Sequence, residues 1–124
     1  MADTRSFEDL DVWKKSIDLA EIIYLASRSW PNGERFGLFQ QIRRSASSAA
    51  ANIAEGAERD GTKDFLRFLS IANGSLAETK TFLILAERLK YLTPADAGRL
   101  QASADEIRRM LAGLKRSLSS RLDP

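Results

Sequence analysis

Cysteine and histidine are both missing from the 124-residue chain. Without cysteine there can be no disulfide, no thiolate zinc site and no thiol nucleophile. Without histidine the commonest general base near neutral pH and the commonest metal ligand are gone too. The two absences exclude hydrolases of the Ser-His and Cys-His types and leave metal–carboxylate and lysine chemistry open. Long apolar runs are also lacking. The longest, Ile22–Ala26 and Phe82–Ala86, fall far short of the ~20 residues that a membrane helix needs. The first residues, MADTRSFEDLDVW, are acidic and polar, unlike a secretory leader. A soluble cytoplasmic protein with no membrane partner is therefore expected. Proline occurs only three times and β-branched residues are few, whereas Ala, Leu, Ser, Arg and Glu abound, which favours helix over sheet.

What is present is enough for one domain, expected over 1–124, with 44% hydrophobic and 29% charged residues. The net charge of +2 is unevenly spread. Residues 1–40 hold five basic and seven acidic side chains, residues 81–124 eight and five. Between Ile107 and Leu122 stand Arg108, Arg109, Lys115, Arg116 and Arg121 with no acid among them.

Apolar residues recur at helical spacing in four stretches, predicting helices over about 10–29, 35–58, 62–92 and 94–121. The first shows Leu10, Trp13, Ile17, Ala20 and Tyr24 as its inner stripe, with Ser6 and Asp9 able to cap it. Pro31 and Gly33 then break the chain. The second carries Ile42, Ala46, Ala49, Ala50 and Ile53, and ends where Gly61 suits a left-handed stop and Thr62 the next cap. The third is marked by Phe65, Phe68, Leu69, Ala72, Leu76, Leu83, Ala86 and Leu89. The fourth opens on TPAD (93–96), with Thr93 as cap and Pro94 in the first turn, and continues through Leu100, Ala104, Ile107, Leu111, Leu114 and Leu118. Four helices joined by short turns make an all-α, antiparallel up-down-up-down four-helix bundle. Val12, Ile22 and Leu25 on the first helix, and Leu66, Ile71, Phe82 and Leu85 on the third, lie off the main stripes. Helices apolar on more than one side meet more than one neighbour, so self-association is expected, with a broad internal core as the alternative.

The stretch RRSASSAAANIAEG (43–56) is built mostly of Ser and Ala. Small side chains let helix axes approach closely, and Ala72, Gly74 and Ser75 form a matching patch on the third helix. Asn52 with Glu55, and Ser75 with Glu78, stand one turn apart on their helices. If the patches face each other, these groups and Arg44 form a polar layer inside the bundle that fixes register. Arg43, about 100° around the helix from Arg44, is left free to face solvent or a partner.

The strings FEDLDVWKKS (7–16), QIRRSASSAAANIAEGAER (41–59) and FLRFLSIANGSLAET (65–79) closely resemble the four-helix-bundle family of 23S ribosomal RNA intervening-sequence proteins. The likeness runs from Phe7 to about Leu118. It falls on Arg44, Asn52, Ile53, Ala54, Glu55 and Gly56, and on Gly74, Ser75, Leu76 and Glu78, as structural motif residues. The chain departs from many relatives in having Ala50 where they carry proline, which implies a milder bend in the second helix. The resemblance implies a homopentamer, encoded in or near insertions in ribosomal RNA genes, with no catalytic residues and no cofactor. A related branch, the accessory protein of diversity-generating retroelements, is a basic pentameric barrel that binds nucleic acid and a reverse transcriptase.

Three functions follow as expectations. The first is a nucleic-acid-binding oligomer: Arg108 with Lys115, and Arg109 with Arg116, are seven apart and form two columns that meet RNA or DNA phosphates, with Arg43 a further candidate. Alternatively, basic residues near a helix carboxyl end merely suit its dipole. The second is an adaptor ring that docks a protein partner. The third, remote, is a magnesium-dependent nucleotide pyrophosphohydrolase using Glu55 and Glu58 with Asp60 and Asp64, which lacks a convincing second acidic pair to face them.

Overall fold

Connections short relative to the helices they join let each helix bury its apolar side against the one before it. The computed structural model, which describes residues 6–34 and 37–122, has this wiring: α1 Asp11–Ser27, α2 Leu38–Ala57, α3 Thr62–Arg88 and α4 Pro94–Ser119. Each helix packs on the next, α4 closes on α1, and the diagonal pairs do not meet among the described residues. The molecule is the antiparallel four-helix bundle that the periodicity predicts.

The ends differ from expectation for local reasons. A short 3-10 turn, Phe7–Asp9, precedes α1, and Ser6 caps that turn by accepting from the Glu8 amide at 3.1 Å. The expected start of α2 at residue 35 lies outside the described residues. Gly61 is not left-handed but extended, with φ −118°, and Thr62 is the first residue of α3 rather than its cap. The one left-handed non-glycine among the described residues is Lys90, at φ 65°. There the Lys90 amide bonds to Glu87 O and the Tyr91 amide to Ala86 O, the paired bonds of a Schellman stop. With no glycine in this stretch the stop was invisible to pattern, and α3 ends before residue 92. At α4 the Thr93 hydroxyl accepts from the Asp96 amide at 3.1 Å, with Pro94 in the first turn as expected.

The core runs the length of the bundle through Ile23, Ile42, Ile53, Leu69, Leu76, Leu83, Ile107 and Leu111, all essentially without solvent contact. On α1 the expected stripe is rotated. Val12, Ser16, Leu19, Ala20, Ile23 and Ser27 are buried, whereas Ile17 and Tyr24 are 39% and 43% exposed. The inner serines disguised this face, because their hydroxyls are satisfied by their own helix: Ser16 donates to Val12 O at 2.8 Å and Ser27 to Tyr24 O at 3.3 Å. Leu89, expected inside, is 45% exposed because α3 has already ended.

Glycine positions reverse the expectation about close approach. Gly74 is exposed, and a methyl group there would meet nothing within 4 Å. Gly56 is the tight one: a Cβ would lie 2.7 Å from Phe68 Cβ and 3.1 Å from Phe65 Cδ1. The α2–α3 approach is therefore tight near the turn that joins those helices. Gly56→Ala is expected to cost about 1–3 kcal/mol through overpacking. Gly74→Ala is expected to stabilise by up to about 1 kcal/mol through helix propensity. Urea midpoints of the two variants should move in opposite directions.

At the other end, Glu34 ties two loops together. Its Oε1 accepts from the Leu38 amide at 3.1 Å, capping α2, and its Oε2 accepts from the Tyr91 hydroxyl at 2.8 Å. Tyr91 also stacks at 5.6 Å on buried Trp30. The hydrogen bond to Glu34, then partial desolvation and the carboxylate's charge, raise the Tyr91 pKa above its ordinary value of 10.0. A raised folded-state pKa means that the bond stabilises fully below the unfolded value and is lost as pH climbs through the folded one. The stability advantage over Tyr91→Phe should thus hold at neutral pH and vanish above about pH 10. Parallel pH profiles for the two proteins would rule this out.

Candidate functional site

The α2–α3 seam is lined by hydroxyls rather than by charges. Ser45 and Thr79, both fully buried, meet at 2.8 Å, and Thr79 donates back to Ser75 O at 2.8 Å. Below them Asn52 Nδ2 donates to Ser48 O at 2.8 Å and to Ser48 Oγ at 3.0 Å. Ser48 Oγ and Ser75 Oγ also share a hydrogen bond across the seam, 3.0 Å apart. The result is a short ladder of neutral donors and acceptors across two helices, every rung satisfied.

The charged motif residues stand outside that ladder, which corrects the expected buried polar layer. Arg44 and Glu78 pair at 3.3 Å with both side chains about half exposed, and Arg44 also donates to Gln41 at 2.9 Å. Glu55 pairs with Arg59 at 2.8 Å on the surface of α2. Burying a carboxylate between close-packed helices would strip its water for one partner, and rim placement avoids that cost. Asn52 is half-buried, Gly56 buried, Gly74 exposed and Ser75 buried. The rungs Ser45 and Thr79 went unnoticed in the sequence. The signal was there in the interruption of the α3 apolar stripe at position 79, one helical turn from Ser75.

Arg43 is not free. Its Nε donates to Ser27 Oγ at 2.8 Å and an amino group donates to Tyr24 O at 2.9 Å. The guanidinium also lies 3.7 Å from the Phe39 ring centre and 4.6 Å from that of Tyr24. It closes the carboxyl end of α1 against α2, satisfying a carbonyl that the helix leaves open.

On α4 the two expected basic columns part company. Arg108 is half-buried and donates to Asn73 Oδ1 of α3 at 3.0 Å. Lys115 is half-buried, while Arg109 and Arg116 are exposed. Among the described residues none of Arg109, Lys115, Arg116 and Arg121 joins an ion pair. Lys15, Arg44, Arg59, Arg67, Lys80 and Arg99 each pair with a carboxylate. Lys80 meets Asp105 across the α3–α4 seam at 2.9 Å, so Arg109, one turn on, begins where neutralisation stops. Beyond it a shallow depression of about 480 Å³ is lined by Ala112, Lys115, Arg116, Ser119 and Ser120.

The acidic set behind the hydrolase expectation does not assemble. Glu55 is committed to Arg59 and Asp64 to Arg67, and Glu58 and Asp60 are exposed. Among the described residues no group of three or more His, Cys, Asp or Glu side chains converges to hold a metal ion. Nor is any described helix long and apolar enough to cross a membrane. One feature was only half legible in the sequence. Ile22 and Leu25, surplus to the α1 stripe, line a groove of about 520 Å³ against α4 with Ala26, Leu92, Leu100 and Arg99.

Comparison with known proteins adds a family. A family model described as 23S rRNA-intervening sequence protein matches residues 8–113. A crystal structure of a protein of unknown function from the S23 ribosomal protein family of Bacteroides thetaiotaomicron superposes with a TM-score of 0.78. It is 30% identical, and the match covers 84% of this chain and 97% of that one. No curated protein matches the chain.

The geometry separates arginines that hold the bundle from those that do not. Arg43→Ala removes a charged hydrogen bond to Ser27 and two ring contacts, and is expected to lower stability by about 1.5–3 kcal/mol. Arg109→Ala should stay within about 0.5 kcal/mol of the parent. Thermal unfolding of the two variants gives the comparison.

Proposed function

Because the chain belongs to the 23S rRNA-intervening sequence protein family, we propose that it is a non-catalytic helical scaffold that self-associates and holds RNA against the α4 face. The observation that carries this reading is the column of Arg109 and Arg116, exposed on α4 with Lys115 beside it and in no ion pair among the described residues. A phosphate meeting these arginines displaces only water and counterions, whereas one meeting Arg44 or Lys80 must first break an ion pair. Lys115 and the Ser119 and Ser120 hydroxyls beside the column supply further donors to phosphate oxygens.

The contact is one of charge. No aromatic side chain borders the depression that Lys115 and Arg116 line, so bases are not stacked there and readout is of backbone position and shape. Repetition matters for the same reason. One copy offers two or three phosphate contacts, and an oligomer multiplies them on a single ligand. We take that oligomer to be the pentamer that the family resemblance implies. The nearest reading of another class, an adaptor ring for a protein, places the partner on apolar rather than basic surface.

Filter binding of a structured ribosomal RNA fragment across a salt series tests the reading. Retention should be firm at low salt and fall steeply as salt rises. Arg109→Gln with Arg116→Gln should weaken it for all sequences alike and reduce the log–log salt slope by about 1 per lost contact in each copy. Absence of retention by the parent protein at low salt would overturn the proposal.

A further inference from the structure

Lys90 is strained for no structural return. It holds the left-handed conformation at φ 65°, which glycine adopts at less cost than any residue with a Cβ. Its backbone completes the stop of α3, a task that glycine would perform as well. Its side chain is exposed and joins no hydrogen bond, ion pair or ring contact among the described residues. A cation near the end of α3 suits the helix dipole, but Arg88 already supplies one without strain. Arg88 is exposed too, and in no ion pair among the described residues.

The two cations can be placed relative to Arg109 and Arg116. Lys80 and Asp105, paired at 2.9 Å, mark where α3 and α4 stand level and which edges of them meet. Around α4, Arg109 and Arg116 lie about 40° and 20° from Asp105, turned away from buried Ile107 and Leu111. Around α3, Arg88 lies about 80° from Lys80, turned away from buried Leu76, Thr79 and Leu83. All three arginines belong to the outer α3–α4 face. The helices are antiparallel, so Arg88 stands about 12 Å to one side of the Lys80–Asp105 pair, and Arg109 and Arg116 about 6 and 16 Å to the other. Lys90 prolongs the first end, and exposed Lys63, at the start of α3, the second. Unpaired cations therefore stand at both ends of a strip about 30 Å long. Its middle holds the neutralised Lys80–Asp105 pair with Ala77, Ile84 and Ala102.

The carboxylates near Lys90 do not cancel its charge. Glu34 is turned to the Leu38 amide and the Tyr91 hydroxyl, Asp96 pairs with Arg99, and Glu87 is half-buried. Arg28, Arg88 and Lys90, all exposed and outside the ion pairs of the described residues, outnumber Glu34 and Glu87, the two without a cationic partner there.

We propose that the RNA is a duplex lying lengthwise on the α3–α4 face, with Arg88 and Lys90 as a second phosphate contact about 30 Å from Arg116. The inference rests on the RNA reading above and adds the form of the ligand and its far contact. A stiff rod touches both ends of the strip with nothing to hold it between. A single strand would have to order every nucleotide that bridges the gap. Ala77, Ile84 and Ala102 offer no ring on which its bases could stack. A duplex rises no more than ~3.4 Å per base pair, so at least about nine pairs are needed to reach from Arg116 to Lys90.

The test is filter binding by the whole chain to two RNA hairpins, with stems of about six and about sixteen pairs, and to a single strand as long as the larger. On the long stem Arg88→Gln and Lys90→Gly should each weaken retention severalfold and lower the log–log salt slope by about 1 per lost contact. Lys90→Arg should stay close to the parent. On the short stem, which reaches only one end of the strip, all three should match the parent. Urea unfolding gives a second readout: Lys90→Gly should raise the midpoint while lowering retention, a combination that loss of fold cannot produce. Long-stem retention unchanged in Arg88→Gln and Lys90→Gly, equal losses on both stems, a firmer hold on the single strand, or a lowered midpoint for Lys90→Gly would each overturn the proposal. If Arg109→Gln with Arg116→Gln still weakens binding in that case, the RNA reading stands without it. A parent that retains none of the three RNAs removes both.

Discussion

Everything in this bundle is arranged around how closely α2 and α3 approach. At Gly56 the backbone of α2 lies so near Phe68 that a methyl group would collide with it. From that contact the helices run side by side, and Ala46, Ala49, Ala50 of α2 and Ala72 of α3 are all buried. Only at such a distance can short hydroxyls span the gap, and so Ser45 reaches Thr79 and Ser48 reaches Ser75. Longer side chains would push the helices apart and break both rungs at once. Sliding one helix by a turn would leave buried hydroxyls opposite alanine, at the cost of unsatisfied polar groups. The seam fixes the register of α2 against α3 by geometry and hydrogen bonds, with no buried charge.

Charge is consequently free for other uses, and its distribution is selective. Ion pairs cross the seams at their rims, joining Lys15 to Glu106, Arg44 to Glu78 and Lys80 to Asp105. Each is solvent-screened and contributes little to stability. They leave Arg109 and Arg116 of α4 among the bases that join no ion pair in the described residues. Arginine plays both parts here: the planar fork of Arg43 lies against two rings and closes a helix end, and that of Arg109 is exposed and in no ion pair among the described residues. The same residue type one turn away from an acid, or one face around a helix, has a different job.

How much of this could be read from residues alone varies with the kind of signal. The four helices were legible because period and turn residues agree, and TPAD marks the start of α4 without ambiguity. The end of α3 was not, since a lysine at position 90 takes the left-handed conformation that glycine usually marks. The inner face of α1 was misjudged because Ser16 and Ser27 look polar by type yet are satisfied within their own helix. The α2–α3 motif was recognised as a packing seam, but which members would be inside it was not. Asn, Glu and Arg attract notice, whereas the serines and threonine that make the rungs do not. At the basic end, spacing revealed both columns on α4. It could not tell that Arg108 is held by Asn73 while Arg109 is held by nothing among the described residues.

The seam between α1 and α4 differs from the other three in kind. Each of those joins helices that follow one another in the chain. This one brings together the first and last helices, so its formation carries the loop-closure entropy of nearly the whole chain. It is also the seam that contains the groove, where Ile22 and Leu25 face solvent above buried Leu92 and Leu100. Local opening should concentrate there, at the free energy of one seam rather than of the whole bundle. A ligand that seats in the groove grips both ends of the chain and adds its binding free energy to that closure. The bundle is then hardest to open when that groove is filled.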